Sequence, residues 1–219
     1  MIPATAVQTV AAASDPQSSS SVVALQTIAH ELRQPLSAIE SIAYYLSLVL
    51  PRENSPARTQ AVRLQQLVEQ SSWILTNALQ LAEIMPLAPQ ALNLEELITQ
   101  VVSARAINRG PTLRLDLAGG LPLVSLDPGR ARALVENLLV LFRQLANDIH
   151  PARLSTSVQE GKVCLQIATS APGYRSETCL GPGCNLSIAS TRRIVEAHGG
   201  SFEIHVDAAS GISLKVVLP

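Results

Sequence analysis

His30 and Glu31 are adjacent in a long aliphatic stretch, and Gln34 follows one helical turn later. An imidazole nitrogen can act as a nucleophile, and a neighbouring carboxylate can accept a hydrogen bond from one ring nitrogen or serve as a base. An amide on the same helical face can position a water molecule for attack on a phosphoryl group. The three side chains therefore predict nucleophilic chemistry centred on His30.

The aliphatic stretch around His30 repeats every seven residues. One series consists of Leu25, Leu32, Ile39 and Leu46, and a second, three residues later, consists of Ile28, Pro35, Ile42 and Val49. Such series are typical of the a and d positions of a helix that packs lengthwise against others. If Leu25 is a, His30 is f, the position that points away from the seam. This phase favours an exposed nucleophile over a core histidine, the more frequent role for a histidine in an aliphatic helix.

A second helix continues the pattern. Pro35 is expected to kink the first helix and Pro51 to end it, while Ser55 and Pro56 are typical of an N-cap and a first helical position. The register is kept by Leu64, Leu67, Ser71, Ile74, Ala78, Leu81 and Met85. Two such helices joined by a short loop predict an antiparallel hairpin. Because one hairpin leaves its apolar stripe half covered, we expect two chains to pair into a four-helix bundle.

The composition limits the classes of function. A chain of 219 residues with 47% apolar content can bury a core in one or two domains. A net charge of -1 argues against nucleic-acid binding, and the lack of a long apolar run or signal peptide argues against membrane insertion and export, which predicts a cytoplasmic protein. Cys164, Cys179 and Cys184 are expected to be reduced thiols. Residues 1–20 are expected to form a disordered tail or linker.

The segment HELRQPLSAI resembles the H box of sensor histidine kinases. In that motif the histidine is phosphorylated, the following acid assists, and a proline stands five positions after the histidine. The matching residues are His30, Glu31, Leu32, Arg33, Pro35 and Leu36. The segments DPGRARALVENLL and SIASTRRIVEAHGGSFEI are similar to two helices of the kinase ATP-binding domain, so the resemblance covers about residues 21–219.

The resemblance implies a fold of two parts. Residues 21–86 are expected to form the helical hairpin of a dimeric four-helix bundle, and residues 87–219 an α/β sandwich similar to the GHKL, or Bergerat, ATP-binding fold. In the second part we expect helices over 92–106, 127–147 and 187–197 on one side of a mixed sheet. Strands are expected near 153–158 and 162–168, in the segments TLRLDL and PLVSLD, and in the C-terminal hairpin of SFEIHV and ISLKVVL.

The magnesium position of such a nucleotide site departs from the family pattern. The kinases carry a magnesium-binding asparagine four residues after a residue like Asn137, and here that position is Leu141. A leucine has no oxygen to offer a hard cation. The basic residue expected three positions later is Gln144. No residue is therefore predicted to bind a metal.

The adenine and phosphate segments depart as well. The Asp-x-Gly-x-Gly motif aligns with Thr169 to Gly173, which lacks the carboxylate. The glycine loop is reduced to Gly181 and Gly183, and Asn185 stands where a glycine would allow close approach of the backbone to a phosphate. Productive use of ATP is therefore not expected, and no cofactor is predicted.

The leading hypothesis is a phosphorelay protein in which His30 accepts a phosphoryl group from one response-regulator receiver domain and donates it to another. Receivers, or a hybrid kinase, would dock against Arg33, Gln34 and Ser37 and bring their own Mg²⁺. A histidine phosphotransferase is thus favoured over the first alternative, an ATP-dependent histidine kinase core that needs ATP and Mg²⁺. The second alternative is a scaffold or inhibitor that binds a kinase or receiver without chemistry at His30.

Overall fold

The computed structural model describes residues 16–51, 56–82, 86–105, 113–145, 150–170, 184–207 and 211–219. The helices are α1 (Pro16–Val49), α2 (Pro56–Ala82), α3 (Leu94–Arg105), α4 (Pro128–Leu145) and α5 (Cys184–Ala197). The strands are β1 (Gln90–Leu92), β2 (Leu113–Asp116), β3 (Val124–Leu126), β4 (Ala152–Gln159), β5 (Lys162–Thr169), β6 (Ser201–Asp207) and β7 (Gly211–Leu218). Within these ranges, no helix combines the length and the apolar composition needed to cross a membrane.

Three helix starts differ from the sequence predictions by two residues or more. α3 begins at Leu94, two residues after the predicted start. α1 begins at Pro16, so residues 16–20 are helical, whereas a tail was predicted through residue 20. Proline suits the first helical position, and the serines that follow cost little once the periodic part of α1 has nucleated the helix. α5 begins at Cys184, three residues before the predicted start. Residues 1–15 lie outside the described part of the chain.

The chain divides into two compact units, Met1–Ser72 and Trp73–Pro219, and the division falls within α2. In the first unit, the buried hydrophobic residues are Ala29, Ala43, Ala61 and Val68. The two buried alanines of α1, Ala29 and Ala43, are at heptad position e, next to d. The guanidinium of Arg58 donates to the carbonyl of Leu50 at 3.2 Å and thereby ties the start of α2 to the end of α1.

The a and d residues of α1 are mostly exposed within one chain. The side chains of Ile28, Leu32, Ile39, Ile42 and Val49 are between 42% and 60% exposed. The heptad pattern therefore describes a surface that one hairpin does not cover by itself.

The second unit contains a five-stranded sheet with the order β2-β4-β5-β7-β6. The sequence predicts a mixed sheet but not this order of strands. β2 pairs with β4 in parallel, and the other neighbours are antiparallel. A separate two-stranded sheet pairs β1 with β3. Glu160 and Gly161 both have positive φ between β4 and β5, which is the backbone of a type I′ hairpin turn.

Alternation along the strands places one face of the sheet in the core. On β5, for example, Val163, Leu165 and Ile167 are buried together with side chains of α3, α4 and α5. Of the residues of opposite parity on β5, Gln166 is exposed and Ala168 is half-buried, whereas Cys164 is buried. The helices therefore cover one face of the sheet, and the other face is open.

His198 joins the end of α5 to the start of α4. Its Nδ1 lies 2.7 Å from the carbonyl of Ile194 and therefore carries the proton, and its Nε2 accepts from the backbone N–H of Asp127 at 3.0 Å. Gly199 then turns the chain with a φ of 74°. Gly200 needs to be glycine, because a Cβ there would collide with the carbonyl of Val217.

Candidate functional site

His30 lies on an open face of α1. Its side chain is exposed, and so are those of Arg33, Gln34 and Ser37. These residues follow His30 at spacings of three, four and seven, which bring side chains to one face of a helix. The structure therefore gathers the predicted nucleophile and the predicted receiver-binding residues into one exposed strip.

Glu31 is exposed as well, but it points in another direction. Consecutive residues of a helix are rotated by about 100° from one another, so their side chains do not face each other. Within the described residues, His30 and Glu31 form neither a hydrogen bond nor an ion pair with each other or with other groups. The side chain of His30 is therefore exposed and makes no described polar contact in the single chain.

Leu141 and Asn137, two residues of α4 that the resemblance relates to a nucleotide site, both lie in the interior of the second unit. Leu141 is fully buried in the hydrophobic core of the second unit. Asn137 is also fully buried, and its amide nitrogen donates to Oγ of Ser190 at 3.2 Å, while its Oδ1 has no partner. Among the residues that the structure describes, no three His, Cys, Asp or Glu side chains lie together as metal ligands.

The other predicted nucleotide positions are only partly described. Thr169 is buried, and its hydroxyl donates to the carbonyl of His150 at 3.3 Å. Asn185 is exposed in the first turn of α5. Gly173, Gly181 and Gly183 lie outside the described residues, and the side chain of Gln144 does too, although α4 includes this residue. These four predictions stay predictions.

Polar side chains of α2 contact one face of α5. The indole N–H of Trp73 donates to Oγ of Ser187 at 2.9 Å, and the amide of Asn77 donates to the same oxygen at 3.4 Å and to the carbonyl of Trp73 at 3.3 Å. Ser187 and Asn77 are fully buried, and Oδ1 of Asn77 has no partner. All three residues belong to the second unit.

A second group of contacts continues along α5. Oγ of Ser190 donates to Oε1 of Gln80 at 3.0 Å and accepts from Asn137. The guanidinium of Arg193 donates to the carbonyl of Leu81. We call these two groups, which join α2, α4 and α5, the polar layer. Asn137 is therefore bound within the polar layer through its amide nitrogen, while its Oδ1 has no partner.

Sequence reasoning did not find the polar layer. Its signal is weak, since Ser187 and Ser190 interrupt the apolar face of α5 at helical spacing, and small polar residues are common on helices. The partners on α2 lie about 110 residues away in the sequence.

Two carboxylates and one thiol have perturbed pKa values. Backbone N–H groups of Arg130 and Ala88 lower the pKa of Asp127, which caps α4. The hydroxyl of Thr156, at 2.6 Å, lowers the pKa of Glu95. Burial raises the pKa of the Cys184 thiol to about 11.

Comparisons with known proteins found similar sequences and similar structures. No protein-family model matches the chain. The sensor histidine kinase ZraS of Escherichia coli K12 is 27% identical over 209 residues, which cover 88% of this chain and 44% of that protein. The chain is similar in sequence to sensor histidine kinases. The sensor protein KdpD of the same organism is 25% identical over 214 residues, which cover 89% of this chain and 24% of that protein.

Solved structures of histidine kinases are similar in fold to this chain, in which two long helices precede a mixed sheet with helices on one face. Full-length ShkA in complex with AMPPNP has a TM-score of 0.61 at 21% identity over 89% of this chain and 45% of that chain. The histidine kinase ThkA in complex with the response regulator protein TrrA has a TM-score of 0.58 at 18% identity over 89% and 60%. This chain spans less than half the length of the curated relatives it matches.

Proposed function

We propose that this chain acts in two-component signalling as a histidine phosphotransferase, with His30 as the residue that carries the phosphoryl group. The observation that carries the proposal is the exposed strip of His30, Arg33, Gln34 and Ser37 on α1. The similarity to sensor histidine kinases supports the phosphoryl chemistry. A cytoplasmic location is part of the proposal.

In the proposed reaction, a ring nitrogen of His30 attacks the phosphorus of an aspartyl phosphate on a receiver domain. The bond between phosphorus and the aspartate oxygen breaks, the carboxylate leaves, and a nitrogen–phosphorus bond forms. The ring proton is lost to solvent or to a base, for which Glu31 is the nearest candidate in sequence. Attack by the aspartate of a second receiver reverses these steps and restores the imidazole.

The partner of His30 is a receiver domain that brings its own Mg²⁺. Arg33 offers a guanidinium to the acidic surroundings of a phosphorylated aspartate, and Gln34 and Ser37 offer hydrogen bonds beside it. The solved complex of ThkA with a response regulator supports this class of partner. The proposal needs no cofactor in this chain, because the phosphoryl group arrives on the receiver.

The exposed a and d residues of α1 support a homodimer. Ile42 is 60% exposed in one chain, and covering such a line of aliphatic side chains with a second hairpin would form a four-helix bundle. We expect Ile42→Glu to turn a dimer into a monomer in light scattering after size exclusion. Ser41→Glu is the matched control, since Ser41 is exposed on the same helix and only donates to the carbonyl of Ser37. A wild-type chain that is monomeric at high concentration would contradict this part.

The transfer assay tests the proposal directly. The purified chain is mixed with a receiver that carries a radiolabelled aspartyl phosphate, and label on the chain is followed over time. We expect label in the wild type and in His150→Ala, a histidine of the second unit, but not in His30→Ala. Label should appear on a phosphohistidine, which is acid-labile and stable to base. Label that persists in His30→Ala would refute the assignment.

The second candidate is an ATP-dependent histidine kinase. The sequence similarity favours it, since it runs through the second unit as well as the hairpin. The buried Leu141 and the engaged Asn137 count against it. Incubation with labelled ATP and Mg²⁺ separates the two, because only the kinase labels His30 without a receiver. A scaffold would show label in neither assay.

A further inference from the structure

The open face of the five-stranded sheet contains a cleft of about 440 Å³. Its central row runs across all five strands, because register pairs Arg114 with Arg153, Arg153 with Ala168, Ala168 with Ser213, and Ser213 with His205. Residues directly opposite one another in a sheet share a face. We call this space the sheet cleft.

The shape of the sheet cleft follows from residue size. Ala168 and Ser213, on the adjacent interior strands β5 and β7, form a low floor, and Gly211 extends it at one end. Gly211 has a φ of 97°, and a Cβ there would collide with the backbone of Thr169, so this position admits no side chain. Longer side chains stand on both sides of the floor.

The positive and negative charges of the sheet cleft are unevenly distributed between its two sides. Arg153 reaches Asp116 at 3.4 Å, an exposed and therefore loose ion pair. Arg114 makes no hydrogen bond or ion pair within the described residues. On the other side, His205 reaches Glu203 at 3.3 Å, and Asp207 lies at the rim. The uncompensated positive charge is thus at the arginine side.

Two arginines directly opposite one another need an explanation. Like charges opposite each other on neighbouring strands, which lie about 4.8 Å apart, are destabilising. Charged residues protect edge strands from pairing, and this role accounts for Arg114 on the edge strand β2. It does not account for Arg153, which is on an interior strand beside the cleft floor and has only the exposed ion pair with Asp116 as a counter-charge. An anion between the two guanidinium groups would remove the repulsion.

We propose that the sheet cleft binds a phosphorylated small molecule, with the phosphate between Arg114 and Arg153. Two guanidinium forks offer more N–H donors than one carboxylate can accept, whereas a phosphate monoester has three terminal oxygens and nearly two negative charges. The organic part of the ligand lies over Ala168 and Ser213, within reach of the Ser213 hydroxyl. The site is on the sheet face opposite to Leu141 and is independent of the chemistry at His30.

The experiment is a titration of the full chain, labelled with ¹⁵N, with inorganic phosphate, with phosphoserine and with acetate. We expect saturable shifts of cleft amides with phosphate and with phosphoserine, and none with acetate. Arg153→Gln should weaken phosphoserine binding about tenfold or more. Lys215→Gln is the matched control, since Lys215 is on the same open face in the next row and donates to Gln159.

Three outcomes would overturn the proposal: no saturable shift, equal binding of acetate, or equal weakening by Lys215→Gln. Binding of inorganic phosphate with exclusion of phosphoserine would overturn the assignment of an organic ligand. If Arg153→Gln does not fold, Arg114→Gln replaces it, because Arg114 is exposed and has no described partner that the fold would lose. A loss of phosphoserine binding in Arg114→Gln supports the proposal, and unchanged binding overturns it.

Discussion

Replacing Ser187 by alanine removes one oxygen that two donors of α2 share in the polar layer. The indole N–H of Trp73 loses its acceptor at 2.9 Å, and the amide of Asn77 loses the longer of its two contacts. Ser187 is fully buried, so no bulk water replaces the oxygen directly. The variant therefore tests whether the polar layer stabilises the second unit.

The expected cost follows from these contacts. A buried donor left without an acceptor costs about 1–3 kcal/mol. Trp73 is only partly buried, and Asn77 keeps one acceptor, so we take about 2 kcal/mol for the pair. The higher helix propensity of alanine offsets about 0.5 kcal/mol of this cost. We therefore expect Ser187→Ala to lower the free energy of unfolding by about 1.5 kcal/mol.

The assay uses the single tryptophan of the chain. Trp73 belongs to the second unit and lies in the polar layer, so its fluorescence follows this unit during unfolding in urea. With a slope of about 2 kcal/mol per molar urea, the midpoint should fall by about 0.7 M. The native emission spectrum should also change, because the indole N–H loses its acceptor.

Ser71→Ala is the matched control for this prediction. Ser71 is on α2 as well, two residues before Trp73, but its hydroxyl only bonds the carbonyl of Leu67 in the same helix. We expect this variant to unfold at the wild-type midpoint or slightly above it, because alanine has the higher helix propensity. If both variants unfold at the same urea concentration with the same emission, the polar layer does not stabilise the second unit and the reasoning is wrong.

Three further predictions concern stability and reactivity. Gly211→Ala should lower the free energy of unfolding by several kcal/mol, because the position combines a positive φ with a backbone collision. Gly119→Ala, at a φ of 70° with open space around it, should lower it by only about 1–2 kcal/mol. Equal urea midpoints of the two variants would contradict this prediction. The pKa values of Glu95 and Asp127 are lowered in the folded chain, so their contribution to stability is complete above the ordinary values of 4.5 and 3.8 and is lost as the pH falls below them. Urea midpoints measured from pH 7 to pH 3 should therefore decrease, and less steeply in Asp127→Asn. With a pKa of about 11, the Cys184 thiol stays protonated at pH 8, so peptide mass spectrometry should find it alkylated in urea but not in the native chain.

The exposure of His30 was predictable because helix phase is a local property. Heptad spacing places position f away from the seam. The structure has His30 exposed, together with a and d residues of the same helix, so the phase itself stays a prediction. The strand pair β4 and β5 was also predictable, since alternation of apolar residues and a two-residue turn are both written in a short stretch of sequence. The start of α5 was missed by three residues, because helix ends have weaker signals than helix centres.

The neighbours of buried polar groups were not predictable in the same way. The sequence shows that Leu141 has no oxygen for a metal. It does not show that Asn137 donates to Ser190, because this contact depends on how α4 and α5 pack. Likewise, the opposition of Arg114 and Arg153 exists only because β2 lies next to β4 in the sheet.

The sequence alone thus determined the two helices of the hairpin, the exposed face of His30 and the kinase-like order of elements. The tertiary structure decided which distant polar groups meet, in the polar layer and in the sheet cleft. The physical reason is that periodicity follows from backbone geometry over a few residues. Contacts between residues far apart in sequence depend instead on the packing of the whole core, and the local pattern of one element is compatible with more than one packing partner.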